Sequence, residues 1–203
     1  MFVTVLAPLP LPEIVRIGCI GSLVDCASEC EIWNKNVVQR LNANPPDLVV
    51  VHNSRWVQIV RSSDDSVAAE GNAMAREMAK LPAASKLLMV QDIPDPQGHN
   101  VPDCLSKHLS DYRSCAYSRK IAYNFDMGAR EAIAAKATGA RLIDLTDAIC
   151  PGTGSCPVVM NGMIMFRDDH HLTATFAQSL GPALDARVVE ALLVDQPSAP
   201  SPS

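Results

Sequence analysis

With 203 residues, 48% of them hydrophobic and 19% charged, the chain is large enough to bury a real core, which excludes an extended, disordered polypeptide. A net charge of −5 with no basic cluster excludes nucleic acid or an anionic membrane surface as the expected partner. No apolar run reaches the roughly 18–20 residues needed to cross a bilayer as a helix.

Met1 to Leu11 is apolar, but it has no basic start and is interrupted by Pro8, Pro10 and then Pro12. That makes a poor export signal. Glu13 to Ile17 reads as a short strand, loosened after it by Gly18 and Gly21. From Glu31 the pattern turns helical, with Trp33, Val37 and Leu41 recurring every four residues until Asn44-Pro45-Pro46 stops it. Asp47 to His52 encloses the run Leu48-Val49-Val50-Val51, the mark of a strand buried on both faces. Ser66 to Leu81 is predicted as a helix on the stripe Val67, Met74, Met78 and Leu81, ended by Pro82. Lys86 to Val90 is a second buried strand, running into the loop 91–96.

Residues 94–116, with three prolines and two cysteines, read as a long ordered loop. Ser118 to Thr138 is predicted as one helix, with Ile121, Phe125 and Ile133 in phase and Gly139 closing it. Arg141 to Asp144 is the third clear strand. The last helix follows Leu172 with Thr173 as N-cap, and Phe176, Leu180, Leu184, Val188 and Leu192 line one face. Gly181-Pro182 should kink or split it. The tail 196–203 is of low complexity and expected to be disordered, leaving 1–195 as a single domain. Helices alternating with short buried strands predict an α/β fold, a layered sandwich around a central parallel sheet.

Seven cysteines are many for a reducing compartment. Local spacing suggests the pairs Cys19–Cys30, Cys104–Cys115 and Cys150–Cys156, each closing a short irregular stretch, although Cys26 can replace Cys19 or stay free. Cys26 and Cys30 are also the nearest approach to a zinc-binding pair, but no His or second close pair lies beside them. Neither metal nor cofactor is expected.

In parallel sheets the chemistry gathers at the carboxyl ends of the strands. Three segments meet that rule: His52-Asn53-Ser54, Asp92, and the stretch from Asp144 to His171. In the last, Asp168 and His171 stand three apart ahead of the final helix. Histidine takes and returns protons near neutral pH, and a carboxylate can hold its ring in one tautomer. Asp-x-x-His thus has the form of the base half of a serine hydrolase or transferase, although the same residues also serve as cap and surface groups. His170 neighbours His171 but lacks that spacing. His52, His99 and His108 read as loop or strand-end residues, and Asp144 and Asp147 as caps of the strand end. Trp56 is either a cleft or a core residue; Ser54, Ser62 and Ser63 lack a nucleophile-elbow context.

The order Cys30-Glu31-Ile32-Trp33, Pro46-Asp47-Leu48-Val49-Val50-Val51, Val101-Pro102-Asp103-Cys104-Leu105, Ile149-Cys150-Pro151, Cys156-Pro157-Val158-Val159 and Arg167-Asp168-Asp169-His170-His171-Leu172-Thr173 resembles the SGNH-type domain fused to bacterial type-three membrane acyltransferases. The resemblance covers roughly residues 14–187. It implies an SGNH-hydrolase, flavodoxin-like fold and an extracytoplasmic domain. That domain takes an acyl group onto a serine and passes it to a cell-envelope glycan, with the donor arriving through an upstream membrane acyltransferase domain. It further implies His171 as general base, Asp168 as its orienting carboxylate and Asn53 as an oxyanion donor, with a strand-end cap the other reading of Asn53.

One part of the pattern is missing. The family's nucleophile sits in a Gly-Asp-Ser block after the first strand, and no Gly-Asp-Ser occurs in this sequence. Gly21-Ser22 lies too far along and in the wrong context. The expectation is therefore a sheet lacking its first strand, a start at Met1 that is internal or misassigned, and little or no catalysis by the chain alone. The alternatives are a non-catalytic SGNH-like domain that binds envelope glycan or a partner, and a cytosolic thiol or metal protein using Cys26 and Cys30.

Overall fold

The computed structural model describes residues 2–6, 26–54, 66–96, 98–123 and 128–193. The strand expected at 13–17, Cys19, Trp56, Ser62, Ser63 and the tail lie outside them, as does the Cys19–Cys30 pairing. In chain order the strands are β1 (Phe2–Leu6), β2 (Leu48–His52), β3 (Lys86–Val90), β4 (Tyr117–Ser118), β5 (Arg141–Ile143), β6 (Ser155–Cys156), β7 (Val159–Met160) and β8 (Met163–Ile164). The helices are α1 (Cys26–Ala43), α2 (Val67–Met78), α3 (Val101–Lys107), α4 (Arg119–Ala122), α5 (Ala129–Thr138), α6 (Thr146–Ile149), α7 (Ala174–Ser179) and α8 (Gly181–Leu193). The chain divides into two compact units, Met1–Asp92 with Gly128–Ile143, and Ile93–Met127 with Asp144–Ser203.

The first unit holds the main sheet, in the order β1-β2-β3-β5. β2, β3 and β5 are parallel, with Val49 opposite Leu87, Val51 opposite Met89, and Val90 opposite Ile143. Period-2 alternation sends Val49, Val51 and Met89 into a core with Val37 and Leu41 of α1, Met78 of α2, and Ala134 and Ala135 of α5. Leu48, Leu88 and Ile143 point the other way and are also buried. Burial on both faces is why these strands read as unbroken apolar runs. The sequence expectation of a parallel sheet flanked by helices is met.

β1 departs from expectation. The apolar N-terminal stretch, read as no element, pairs antiparallel with β2, Phe2 opposite His52 through Leu6 opposite Leu48. The sheet expected to lack its first strand thus carries a strand on the side of β2 away from β3. A β-branched segment of this kind fits a pleated surface, and pairing it satisfies the otherwise bare backbone groups of β2.

α2 begins where Ser66 accepts the amide of Ala69 at 3.2 Å. It lies close against α5: a Cβ on Gly71 would stand 2.7 Å from Cβ of Ile133 and 3.0 Å from the carbonyl of Arg130. Gly71 is what permits that approach.

The expected helix 118–138 is instead two helices, α4 and α5. α4 ends at Ala122 with Tyr123 as its C-cap, and α5 starts after Gly128, which is left-handed at φ 78° and where a side chain would run into Gln91. The stretch 94–116 is likewise not only loop. Asn100 accepts the amide of Asp103 at 3.0 Å and starts α3, where Pro102 sits in the first turn and costs no hydrogen bond. A 3-10 turn, Tyr112–Cys115, follows. The split of the last helix at Gly181-Pro182 is as expected, giving α7 and α8.

Candidate active site

The second unit is built around a core of Phe166, Phe176, Met165, Ile149, Val158 and their neighbours. Two disulfides stitch it. Cys104–Cys115 ties α3 to the 3-10 turn, and Cys150–Cys156 closes the loop after α6, its sulfurs fully buried. Both are the pairs expected from spacing.

Arg119 secures the second loop from outside. Its backbone N–H donates to the carbonyl of Gly154 at 3.2 Å, and its guanidinium donates to the carbonyl of Cys150 and to Asp147 at 2.9 Å. The guanidinium also lies over the Tyr123 ring, 5.0 Å from its centre. Burial pushes the Tyr123 hydroxyl up to about 12, against the opposing pulls of the Thr146 side chain and the Arg119 charge, and the hydroxyl donates to the carbonyl of Thr146 at 3.3 Å. Tyr123 is a neutral donor at physiological pH.

From Cys156 the chain enters the hairpin β7–β8, turned by Asn161 and Gly162 at φ 51° and 74°. The hairpin delivers Met165, whose amide donates to the carbonyl of Val158 at 2.9 Å. Phe166 then bridges antiparallel to Leu172, and the amide of Arg167 donates to the carbonyl of His171 at 2.9 Å. These bonds close residues 167–171 into a tight loop between two anchored ends. Thr173 locks the exit: its hydroxyl donates to the carbonyl of Ile164 at 2.7 Å and accepts the amide of Phe176 at 3.2 Å. One side chain therefore caps α7 and ties it to the hairpin.

Inside that loop Asp168 is the organising group. Its Oδ1 accepts the amides of His170 at 3.0 Å and His171 at 2.7 Å. Its Oδ2 meets Nδ1 of His171 at 2.8 Å. Partial burial pushes the Asp168 carboxyl up, but the two amides and the His171 ring outweigh it and bring the value down to about 2. Asp168 is thus a carboxylate, able only to accept, so Nδ1 of His171 carries the proton between them and Nε2 of the neutral ring keeps its lone pair. That is the arrangement of a general base with its orienting acid. The side chain of His171 is 43% exposed, open to a reacting group.

His170, set aside in the sequence, lies against this pair. Its ring centre is 3.9 Å from that of His171 at an angle of 42°, and its Nδ1 meets Asp169 at 2.5 Å. Asp168, His170 and His171 offer possible metal-ligand atoms within 4.8 Å of one another. In both rings, however, Nδ1 already faces a carboxylate. A second such cluster, Cys104, His108 and Cys115, has its sulfurs joined in the disulfide and provides no thiolate.

The remaining candidates belong to other segments. Asn53 follows β2 in the first unit, 5% exposed, and its Oδ1 has no hydrogen-bond partner among the described residues. His52 sets Nδ1 3.3 Å from the carbonyl of Val90, as a strand-end residue would. Just past β5, Asp144 accepts the amide of Thr146 at 2.7 Å, while Leu145 is the N-cap of α6 and Asp147 pairs with Arg119. His108 donates from Nδ1 to the carbonyl of Cys104 at 2.9 Å, within the Cys104–Cys115 loop.

Glu131, which the sequence gave no reason to single out, is buried in the first turn of α5 with neither oxygen hydrogen-bonded among the described residues. Burial raises its carboxyl above 4.5 and the charge of Asp92 adds to this, against the opposing effects of its own amide, Arg130 and His52. Arg130 gives its closer contact, 2.8 Å, to Glu70.

A model of the SGNH domain family, described as fused to AT3 domains, matches residues 9–186. The chain belongs to that family. The match takes in the whole Asp168–His171 loop and both described disulfides of the SGNH domain. Among solved structures it is similar to the periplasmic domain of a lipopolysaccharide acetyltransferase from Salmonella ser. Paratyphi A. The two are 18% identical with a TM-score of 0.59, over 79% of this chain and 63% of that one. At that identity the likeness shows the SGNH fold, and this chain spans under two thirds of its neighbour's length. A search of curated proteins finds no match.

Proposed function

We propose that this SGNH domain supplies the base half of an acyl-transfer centre that O-acylates cell-envelope glycans outside the cytoplasm, working with an upstream membrane acyltransferase domain that delivers the acyl donor. The observation that carries the reading is the Asp168–His171 pair, held at 2.8 Å by an ionised carboxylate in a loop braced at both ends. The family assignment supports the pairing with an acyltransferase.

In this scheme Nε2 of His171 removes the proton from a serine hydroxyl as its oxygen attacks the donor carbonyl. The leaving group departs with that proton and an acyl-serine ester remains. A glycan hydroxyl then gives its proton to Nε2 and attacks the ester. The acyl–serine bond breaks, the glycan keeps the acyl group, and serine recovers its proton. Asn53 is the proposed oxyanion donor on the strength of its place after β2 and its buried side chain.

The serine is proposed to come from residues outside 1–203, because no Gly-Asp-Ser occurs within them. The test is hydrolysis of p-nitrophenyl acetate by purified 1–203 and by its His171→Ala variant. The expected outcome is equal, background rates. Hydrolysis that disappears in His171→Ala would place the nucleophile within this chain and overturn the proposal.

A further inference from the structure

His171 is held on one side by Asp168, yet two-fifths of its side chain meets solvent. One hydrogen bond leaves a ring free to rotate about the bond to Cβ, and in buried active sites apolar walls restrict that motion. Here the adjoining wall is another imidazole, that of His170, 3.9 Å from ring centre to ring centre. This wall is itself anchored. Nδ1 of His170 meets Asp169 at 2.5 Å and lies 3.9 Å from Oδ1 of Asp168. The four consecutive residues Asp168 to His171 thus make two carboxylate–imidazole pairs laid one against the other. Among the described residues Arg167 brings a further charge, its Nε 3.5 Å from Oδ2 of Asp168.

We infer that the Asp169–His170 pair is a positioning device for His171, clamping the ring face so that Nδ1 stays on Asp168 and Nε2 stays available as the base. This deepens the proposed function, since it rests on His171 being the base. His170 acts through His171 and takes no part in bond making. What the role requires is a flat ring over His171, so an aromatic side chain without nitrogen should fill it and a methyl group should not. Asp169 contributes by fixing the azimuth of the His170 ring.

The test is nitrogen-15 NMR of the histidine side chains in the intact 1–203 chain, at a pH where the imidazoles are neutral. Wild type should show His171 with well-separated nitrogen shifts, Nδ1 protonated and Nε2 bare. In His170→Ala the two shifts should move together as the ring samples both tautomers, while His170→Phe should restore the separation. Thermal melting of the three proteins checks that the fold is retained, and His170→Phe serves as the reading if His170→Ala does not fold. A loss of separation in His170→Phe equal to that in His170→Ala would overturn the inference, as would an unchanged His171 spectrum in His170→Ala. Averaged His171 shifts in the wild type would instead overturn the dyad itself, so the two failures are distinct.

Discussion

Asp168→Asn removes one charge and leaves the loop almost intact in shape. The amide oxygen can still accept the backbone N–H groups of His170 and His171, which Asp168 receives at 3.0 and 2.7 Å. The amide NH2, however, now faces Nδ1 of His171 and demands an acceptor there, so the ring must carry its proton on Nε2. In a complete enzyme this wrong tautomer costs on the order of 10⁴ in rate. The isolated chain reports the same charge through stability. The Asp168 carboxyl falls from 3.8 to about 2 on folding. At about 1.4 kcal/mol for each tenfold change that is nominally about 2.5 kcal/mol, and screening at a 35% exposed side chain reduces it to about 1 kcal/mol.

The pH dependence has a definite sign. A depressed carboxyl stabilises the fold above pH 3.8, and the contribution is lost as pH falls toward 2. At pH 6 wild type should therefore melt about 2–4 °C above Asp168→Asn. Below pH 4 the gap should narrow, and urea midpoints across the same range should follow it. A gap that is absent at pH 6, or that persists undiminished at pH 2, contradicts the assignment of Asp168 as the ionised partner of His171.

Opening Cys150–Cys156 by replacing both residues with Ala should destabilise the chain by about 2 kcal/mol and Cys104–Cys115 by about 3 kcal/mol, the longer loop costing more; melting with and without reductant in wild type and the two variants resolves each share. Glu131 has a raised carboxyl, so its stabilising contribution is complete below pH 4.5 and is lost as pH climbs through the folded value. Glu131→Gln should raise the urea midpoint more at pH 8 than at pH 5, and an equal effect at both would show that the carboxyl is not perturbed. Gly71→Ala gains roughly 1 kcal/mol of helix propensity but overlaps Ile133, a cost of roughly 1–3 kcal/mol, so the net should be a destabilisation that Ile133→Ala in the same chain partly relieves.

What could be read in advance follows from the range of the forces involved. β2 and β3 were legible because burial on both faces writes itself as Val49-Val50-Val51 and Leu87-Leu88-Met89. The caps Ser66 and Thr173 and the break at Gly181-Pro182 act within a few residues, so the sequence displays them. The Asp168–His171 pair was legible for the same reason, since both members sit in one turn.

Two further signals are equally local: Asn161-Gly162, which turns β7 into β8, and Asn100 with Pro102, which starts α3. Other features depend on distant partners. Ile133 in phase with Ile121 suggests one helix, but α4 stops at Ala122 and Ile133 belongs to α5, where it meets Gly71. Glu131 looks like a surface residue until α5 turns it inward. The direction in which Phe2–Leu6 pairs with β2 is a tertiary choice that a five-residue apolar run does not record.

The coding sequence read in frame through Met1, expressed with whatever precedes it and exposed to an acyl donor, gives the sharpest check on an acyl-transfer role for Asp168 and His171. Mass spectrometry of the product should find an acyl ester on the serine of an upstream Gly-Asp-Ser, and His171→Ala should abolish its formation and turnover. An extended protein with no such serine, or one whose acylation is indifferent to His171, would contradict the account.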